Sequence, residues 1–374
     1  MKTWIAVGTC GVVLGCLVGL GSAVPRAQTG DAGTWSRKAA AAYLDQRAAW
    51  WMQWPTAARD HGTFCVSCHT AVPYALARPT LRQALGETGP SPSEIKLVDN
   101  VVERVRLWKE VEPFYPDQTR GLPKTSESRG TEAILNALIL ASRDARRETA
   151  SALGDDARRA FDNLWALQMK TGDQAGAWVW LNFHNEPWEA DASPYYGATL
   201  SAIAVTMAPG GYAADPGVQD RMKRLGDYLQ RGNEKQSLFN RVMLLWASAS
   251  WPGLLTREQQ QTIVDAALRV EQSDGGWGLA SLGTWTRADG TPLETGSDGY
   301  ATGLVVYALQ QLGAPRSQAV SRGLDWLMTH QDASTGLWSA ASLNKQRDPA
   351  SDTGRFMSDA ATAYAVLALT KAQR

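Results

Sequence analysis

The sequence contains few cysteines, few histidines and no excess of charge. Its 374 residues include 4 Cys and 4 His, and 37 Lys and Arg balance 37 Asp and Glu. The balanced charge gives no indication of a nucleic-acid surface or a polybasic membrane patch. The sequence also lacks a phosphate-binding glycine loop and a Gly-x-Ser-x-Gly nucleophile elbow, so neither of those site types is indicated.

An apolar run without charge opens the sequence. Residues 4–24 follow Lys2, carry no charged side chain and end with the small residues of 21–23. This pattern predicts a signal peptide over 1–23 and a linker over 24–34, with export to the periplasm. The run is also long enough for an uncleaved anchor, so membrane association through this segment is an alternative.

The remaining cysteines form one motif. Cys10 and Cys16 lie in the apolar run, so the mature chain would hold only Cys65 and Cys68, in the sequence Cys-Val-Ser-Cys-His. Two thiols three positions apart can each add to one haem vinyl group, and the imidazole of His69 can then bind the iron. The motif predicts one covalent haem c, attached at Cys65 and Cys68 and ligated by His69.

Two other interpretations of the cysteine pair remain open. A disulfide is possible in an oxidising compartment, and a zinc site could recruit histidine ligands. The four histidines of the mature chain are His61, His69, His184 and His330. The sixth iron ligand is equally open, because histidine, methionine or a water-accessible vacant position would each be compatible with the sequence.

Apolar residues recur at helical spacing and no segment shows sustained strand alternation, which predicts an all-α fold. Turns that contain Pro or Gly separate the helices. The pattern predicts helices over Lys38–Trp51, Ser93–Trp108, Thr131–Ala141, Asp156–Gln168, Val218–Gln230, Leu238–Ala249 and Glu258–Glu271.

An internal repeat organises the second part of the chain. Each copy consists of an apolar helix, a Gln, a short turn with Gly and Trp, and then a helix of small residues. The Gln and Trp residues of the three copies are Gln168 and Trp178, Gln272 and Trp277, and Gln331 and Trp338. A structural use of Trp at these turns accounts for much of the excess of 16 Trp over 6 Phe. Repeated helical hairpins of this kind predict a closed ring.

The Gln-to-Gly-x-Trp copies resemble the QW motifs of squalene–hopene cyclases and related terpenoid cyclases, over roughly Thr131–Arg374. Protein prenyltransferase β subunits share that barrel. The resemblance implies an (α/α) toroid with a central cavity suited to isoprenoid chains. We therefore expect a helical segment with the haem motif over 35–125 and the toroid over 126–374, packed as one compact unit.

The resemblance also suggests a candidate acid. Class II cyclases of this family protonate their substrate with the middle Asp of an Asp-x-Asp-Asp motif. The nearest match here places Glu189 and Asp191 in the first and middle positions and has Ala192 where the last carboxylate would be. Asp191 and Ser193 could instead cap a helix. Three neighbouring aromatic residues could stabilise a cation: Trp188, Tyr195 and Tyr196.

Together these patterns predict an exported haem protein that transfers electrons to a redox partner or oxidises an apolar, isoprenoid-like small molecule. One alternative is a divergent terpenoid cyclase that uses Asp191 as acid. Another is a non-catalytic haem sensor or binding module. If the chain is an enzyme, the haem motif favours an oxidoreductase over a cyclase. Substrate and oligomeric state are not encoded in any recognisable pattern.

Overall fold

Twelve α-helices make up most of the regular structure that the computed structural model describes, namely Met1 and residues 35–119, 123–147, 151–313 and 317–372. Within these residues there is no β-strand, only two isolated bridges, and the all-α prediction is confirmed. The helices are α1 (Arg37–Gln53), α2 (Ala71–Leu85), α3 (Pro92–Arg106), α4 (Thr125–Asp144), α5 (Asp155–Leu167), α6 (Ser193–Met207), α7 (Gln219–Gly232), α8 (Leu238–Ala249), α9 (Arg257–Arg269), α10 (Gly299–Gln311), α11 (Gln318–Thr329) and α12 (Phe356–Lys371).

The helix that the sequence did not predict is α2. It starts directly after the haem motif, and Pro73 and Pro79 interrupt the pattern by which helices are recognised. Ser67 holds the turn that leads into this helix, because its hydroxyl oxygen accepts the backbone N–H groups of Thr70 and Ala71 at 3.3 and 3.1 Å. The motif therefore lies at the N-terminal end of a buried helix.

Residues Trp35–Arg374 form one compact unit. The predicted signal peptide and linker, with Cys10 and Cys16, lie outside the described residues except for Met1. In the part of the chain that is described, no helix combines the length and apolar character that crossing a bilayer requires.

The even-numbered helices pack against one another in a cyclic order. Helix α2 contacts α4, which contacts α6, and the sequence of contacts continues through α8, α10 and α12 back to α2. Each odd-numbered helix packs on an even-numbered neighbour, as α5 does on α4 and α9 on α8. The even-numbered helices α4, α6, α10 and α12 are buried along most of their length, whereas α9 buries only Ile263 and Ala267.

The repeated tryptophans close the ends of odd-numbered helices. Each indole N–H donates to a carbonyl in the last turns of the preceding helix, where backbone acceptors have no helical partner. All three rings are almost completely buried. The bonds are Trp178 to Leu164 at 2.6 Å, Trp277 to Ala267 at 2.8 Å, and Trp338 to Leu327 at 2.8 Å.

The last repeat joins the start of α1. The Gln331 side chain accepts the backbone N–H of Ser36 at 2.6 Å and donates to the Ser36 carbonyl at 3.1 Å. Gly336, with a φ of +79°, packs so tightly against Ala39 that a Cβ would lie 2.4 Å from its backbone. Only glycine meets both demands, the left-handed backbone and the close approach. The turn after α11 is therefore fastened to the start of α1.

We predict that Trp277→Phe lowers the free energy of unfolding by about 2 kcal/mol, because it removes the buried indole hydrogen bond to the Ala267 carbonyl and leaves a small cavity. Urea unfolding followed by circular dichroism would measure the change. Trp108→Phe is the matched control, since Trp108 is half-buried and lies outside the repeats, and we expect a loss below about 1 kcal/mol there. Equal losses in the two variants would contradict the role assigned to the repeat.

Candidate functional site

The two thiols and the imidazole of the motif line one cavity of about 270 Å³. Its walls come from the end of α1, the motif, the α3–α4 and α5–α6 loops, the α11–α12 loop and the start of α12. Most of the apolar wall is aromatic. The aromatic residues are Trp51, Trp54, Tyr115, Trp188 and Phe356.

Backbone and side-chain hydrogen bonds hold the segment that leads into the motif. The N–H of Cys65 donates to Ala57 at 2.8 Å, and its carbonyl accepts the indole N–H of Trp51 at 2.7 Å. Asn100, on α3, accepts the N–H of Phe64 at 2.8 Å and donates to its carbonyl at 3.1 Å. These bonds satisfy the buried backbone of a segment that belongs to no helix.

A buried ion pair between α3 and α4 supports the same segment. Arg104 and Glu132 are completely buried, and the Arg104 Nε lies 2.5 Å from the Glu132 carboxylate. Arg104 also donates to the Thr63 hydroxyl at 2.7 Å, two residues before Cys65. Burial raises the pKa of Glu132, and the guanidinium of Arg104 opposes this increase. Loss of Arg104 would leave the buried Glu132 with only the longer contact to Arg129, at 3.4 Å, and would be destabilising.

The tautomer of His69 follows from its neighbours. Its Nδ1 lies 2.7 Å from the Thr70 hydroxyl, which is in turn 2.6 Å from the carboxylate of Asp359. A hydroxyl has one proton, and that proton must go to the carboxylate, which only accepts. Thr70 therefore accepts from Nδ1–H, and the Nε2 of His69 carries a lone pair. Within the described residues, no hydrogen bond to that Nε2 is present.

The Asp359 carboxylate is itself firmly held. It is 2% exposed, and its Oδ1 accepts from the Arg47 Nε and the Tyr43 hydroxyl, each at 2.8 Å. Burial raises the pKa of Asp359, while Arg47, Thr70 and Tyr43 favour the charged form. The result is a chain of contacts from an α1 arginine through an α12 carboxylate to the histidine of the motif.

Aromatic rings surround the imidazole. Phe356 stacks on His69 with ring centres 3.9 Å apart, and Trp51 meets it edge-on at 4.9 Å. Burial, together with the charges of Arg47 and Arg347, lowers the pKa of His69 to about 3. His69 is therefore neutral near pH 7, the form in which an imidazole can ligate a metal.

The cysteine pair is not joined in a disulfide, and both thiols are buried. Burial raises the pKa of Cys65 to about 12 and that of Cys68 well above its usual value. The carboxylate of Glu189 contributes to both increases. Among the described residues, no three His, Cys, Asp or Glu side chains come close enough to hold a metal ion. Haem c requires no such cluster, because its cysteines bind the porphyrin rather than the iron.

The structure separates the two carboxylates of the predicted acid motif. Glu189 lines the cavity with the haem motif. Asp191 points to the surface with 87% of its side chain exposed, and accepts a hydrogen bond from Asn182 at 2.6 Å. Such exposure argues against Asp191 as a strong acid, since that role needs a tuned environment. The helix-cap interpretation is wrong, because the residue at the N-cap of α6 is Ala192 and no side chain caps that end.

The aromatic and histidine candidates named from the sequence lie in different parts of the fold. Trp188 lines the cavity, whereas the buried Tyr195 donates to the Leu229 carbonyl at 2.6 Å. The cavity lining includes the thioether-bearing Met357 and no histidine besides His69. Tyr196 is also buried, and His61, His184 and His330 are exposed.

Sequence reasoning missed Thr70, Asp359 and Arg347. Thr70 directly follows the motif, and Asp359 is an acidic residue in the otherwise apolar and small-residue sequence of α12. Both signals were readable, but their pairing across 289 residues was not. Arg347 lies in a polar loop that carries no recognisable pattern.

The chain matches no protein-family model, and no curated protein matches it.

We predict that the protein with Cys65 and Cys68 as free thiols loses about 1–2 kcal/mol of unfolding free energy between pH 7 and pH 5. The pKa of His69 is lower in the folded chain than the usual 6.5, so the unfolded chain binds the extra proton and stability falls as the pH decreases. Urea unfolding at several pH values would measure this slope. The slope should shrink in His69→Gln and persist in His330→Gln, whose imidazole is exposed. Identical slopes in the two variants would contradict the burial argument.

Proposed function

We propose that this chain is an exported c-type haem protein with a terpenoid-cyclase-like (α/α) toroid. The observation that carries the proposal is the meeting of Cys65, Cys68 and His69 on one cavity, with free thiols and an Nε2 that has no described protein partner. Its function would be electron transfer to a redox partner or oxidation of an apolar ligand.

The cyclic order of the even-numbered helices supports the toroid. So does the use of the repeats, because the Trp of each copy binds the end of the preceding helix. The Gln side chain binds the turn glycine in two of the three copies, whereas Gln272 donates to the Thr295 carbonyl at 2.7 Å. Gln168 and Gln331 both donate to the carbonyl of the turn glycine, at 3.1 and 2.9 Å. In this proposal the haem segment supplies α2, one of the six inner helices.

The residues present fit haem c. Cys65 and Cys68 would form the thioether bonds to the two vinyl groups, and the Nε2 of His69 would ligate the iron. The bound haem would supply a one-electron redox centre. Asp359 acts through Thr70 to hold the Nδ1 proton, which orients the imidazole and increases the basicity of its other nitrogen.

The aromatic walls would exclude water and bind apolar ligands. Trp51 and Phe356 pack on His69, and Trp188 lies 5.9 Å from it between ring centres. Apolar surface of this kind favours a hydrocarbon ligand over a charged one. The exposure of Asp191 gives no support to the cyclase alternative, and no observation favours a sensor.

The first experiment is a pyridine haemochrome spectrum of the denatured protein, made with a cytochrome c maturation system. Attachment should occur before folding, because both thiols are buried and protonated in the folded chain. We expect about one haem per chain with a c-type spectrum, and none in Cys65→Ala/Cys68→Ala. Protein from the same system that carries no covalent haem would overturn the proposal.

We predict that Thr70→Val raises the midpoint potential of the haem protein, because the imidazole loses the contact to Asp359 that favours oxidised iron. The change should also cost about 1–3 kcal/mol of stability, since it leaves buried polar groups unpaired. Redox titration and urea unfolding would measure both effects. Thr56→Val is the control, because Thr56 lines the cavity without a recorded contact to His69. A potential that moves equally in both variants would contradict the assigned role of Asp359.

A further inference from the structure

Arg347 is the single Arg or Lys among the described residues that line the cavity. It is half-buried, and the described residues provide no carboxylate partner for it. Burial alone lowers the pKa of its guanidinium. Arg347 lines the same cavity as His69. Its guanidinium therefore has hydrogen-bond donors left over for an anion.

The loop that carries Arg347 is held in place by its own bonds. Arg287 donates to the carbonyl of Ser342 at 2.9 Å. The Asn344 side chain accepts the N–H of Glu186 at 2.6 Å and donates to its carbonyl at 2.8 Å. These contacts use the neighbours of Arg347 and not the guanidinium. The loop therefore positions Arg347 without providing a hydrogen-bond partner for its guanidinium among the described residues.

Arg347 also lies at the boundary of the cavity. It lines a second depression of about 390 Å³ beside the first, along with Asp298 and Ser358. A group anchored there would meet both the aromatic cavity and a more polar region. A carboxylate suits this position, because a guanidinium binds it through two parallel hydrogen bonds.

Haem c contains such a group. Its vinyl positions would be taken by Cys65 and Cys68, which leaves its two propionate carboxylates as the charged edge of the macrocycle. We infer that Arg347 is the anchor of a haem propionate in this protein. The inference rests on the proposed haem function and assigns Arg347 a binding role rather than a catalytic one.

The test uses the haem-loaded chain and two variants of one loop. Arg347→Gln removes the proposed anchor, and Lys345→Gln removes an exposed charge two residues away that does not line the cavity. Resonance Raman spectra would report the propionate bending band, and redox titration would report the midpoint potential. We expect Arg347→Gln to shift the band and lower the potential, because a nearby positive charge favours reduced iron. Lys345→Gln should change neither by a comparable amount.

The outcomes separate this inference from the proposed function. Covalent haem with an unchanged propionate band in Arg347→Gln would overturn the anchor and leave the haem function intact. Absence of haem from the unaltered protein would overturn both. If Arg347→Gln does not accumulate, Arg347→Lys decides the matter, because it keeps the charge but loses the two-pronged contact. We expect that variant to retain haem and a near-normal potential while the band shifts, and an unshifted band would contradict the inference.

Discussion

The arrangement of the site depends on the hydrogen bonds that the buried carboxylate of Asp359 accepts. This carboxylate binds Arg47 and Tyr43 of α1, the Thr70 hydroxyl at the start of α2, and belongs itself to α12. A carboxylate in this position requires several donors, because burial penalises its charge. These hydrogen bonds connect α1, the start of α2 and α12 at the place where His69 faces the cavity. The same contact that stabilises the fold therefore fixes the imidazole tautomer.

The cyclic order of the helices also depends on side chains that bind more than one partner. The Trp338 indole satisfies a backbone carbonyl near the end of α11, and its ring lies 5.7 Å from that of Trp35 between ring centres. The Gln331 side chain binds the backbone of Ser36, just before α1. Because the indole N–H groups of the repeats bind backbone carbonyls, the repeat tryptophans have a structural role. The aromatic residues around His69 come from other segments, and they provide the apolar environment that a redox group or hydrocarbon needs.

The local elements were readable from the sequence to different degrees. The spacing of apolar residues predicted α8 to the residue, while α2 escaped notice because its two prolines obscure the periodicity. For the acid motif the sequence could only place Glu189 and Asp191 close together in the chain. Their side chains diverge, one into the cavity and one to solvent, because the turn before α6 bends between them. Short sequence spacing cannot resolve such a difference outside regular secondary structure.

The sequence by itself determined the all-α class, the positions of most helices, the three repeats and the Cys-Val-Ser-Cys-His motif. Each of these depends on residues close together in the chain, whose periodicity or spacing is set by backbone geometry. Only the tertiary structure decided that Asp359, 289 residues beyond Thr70, would meet it, and that Arg347 would face the same cavity. Those contacts follow from the packing of α1, α2 and α12. No local sequence pattern indicates which distant side chains this packing brings together.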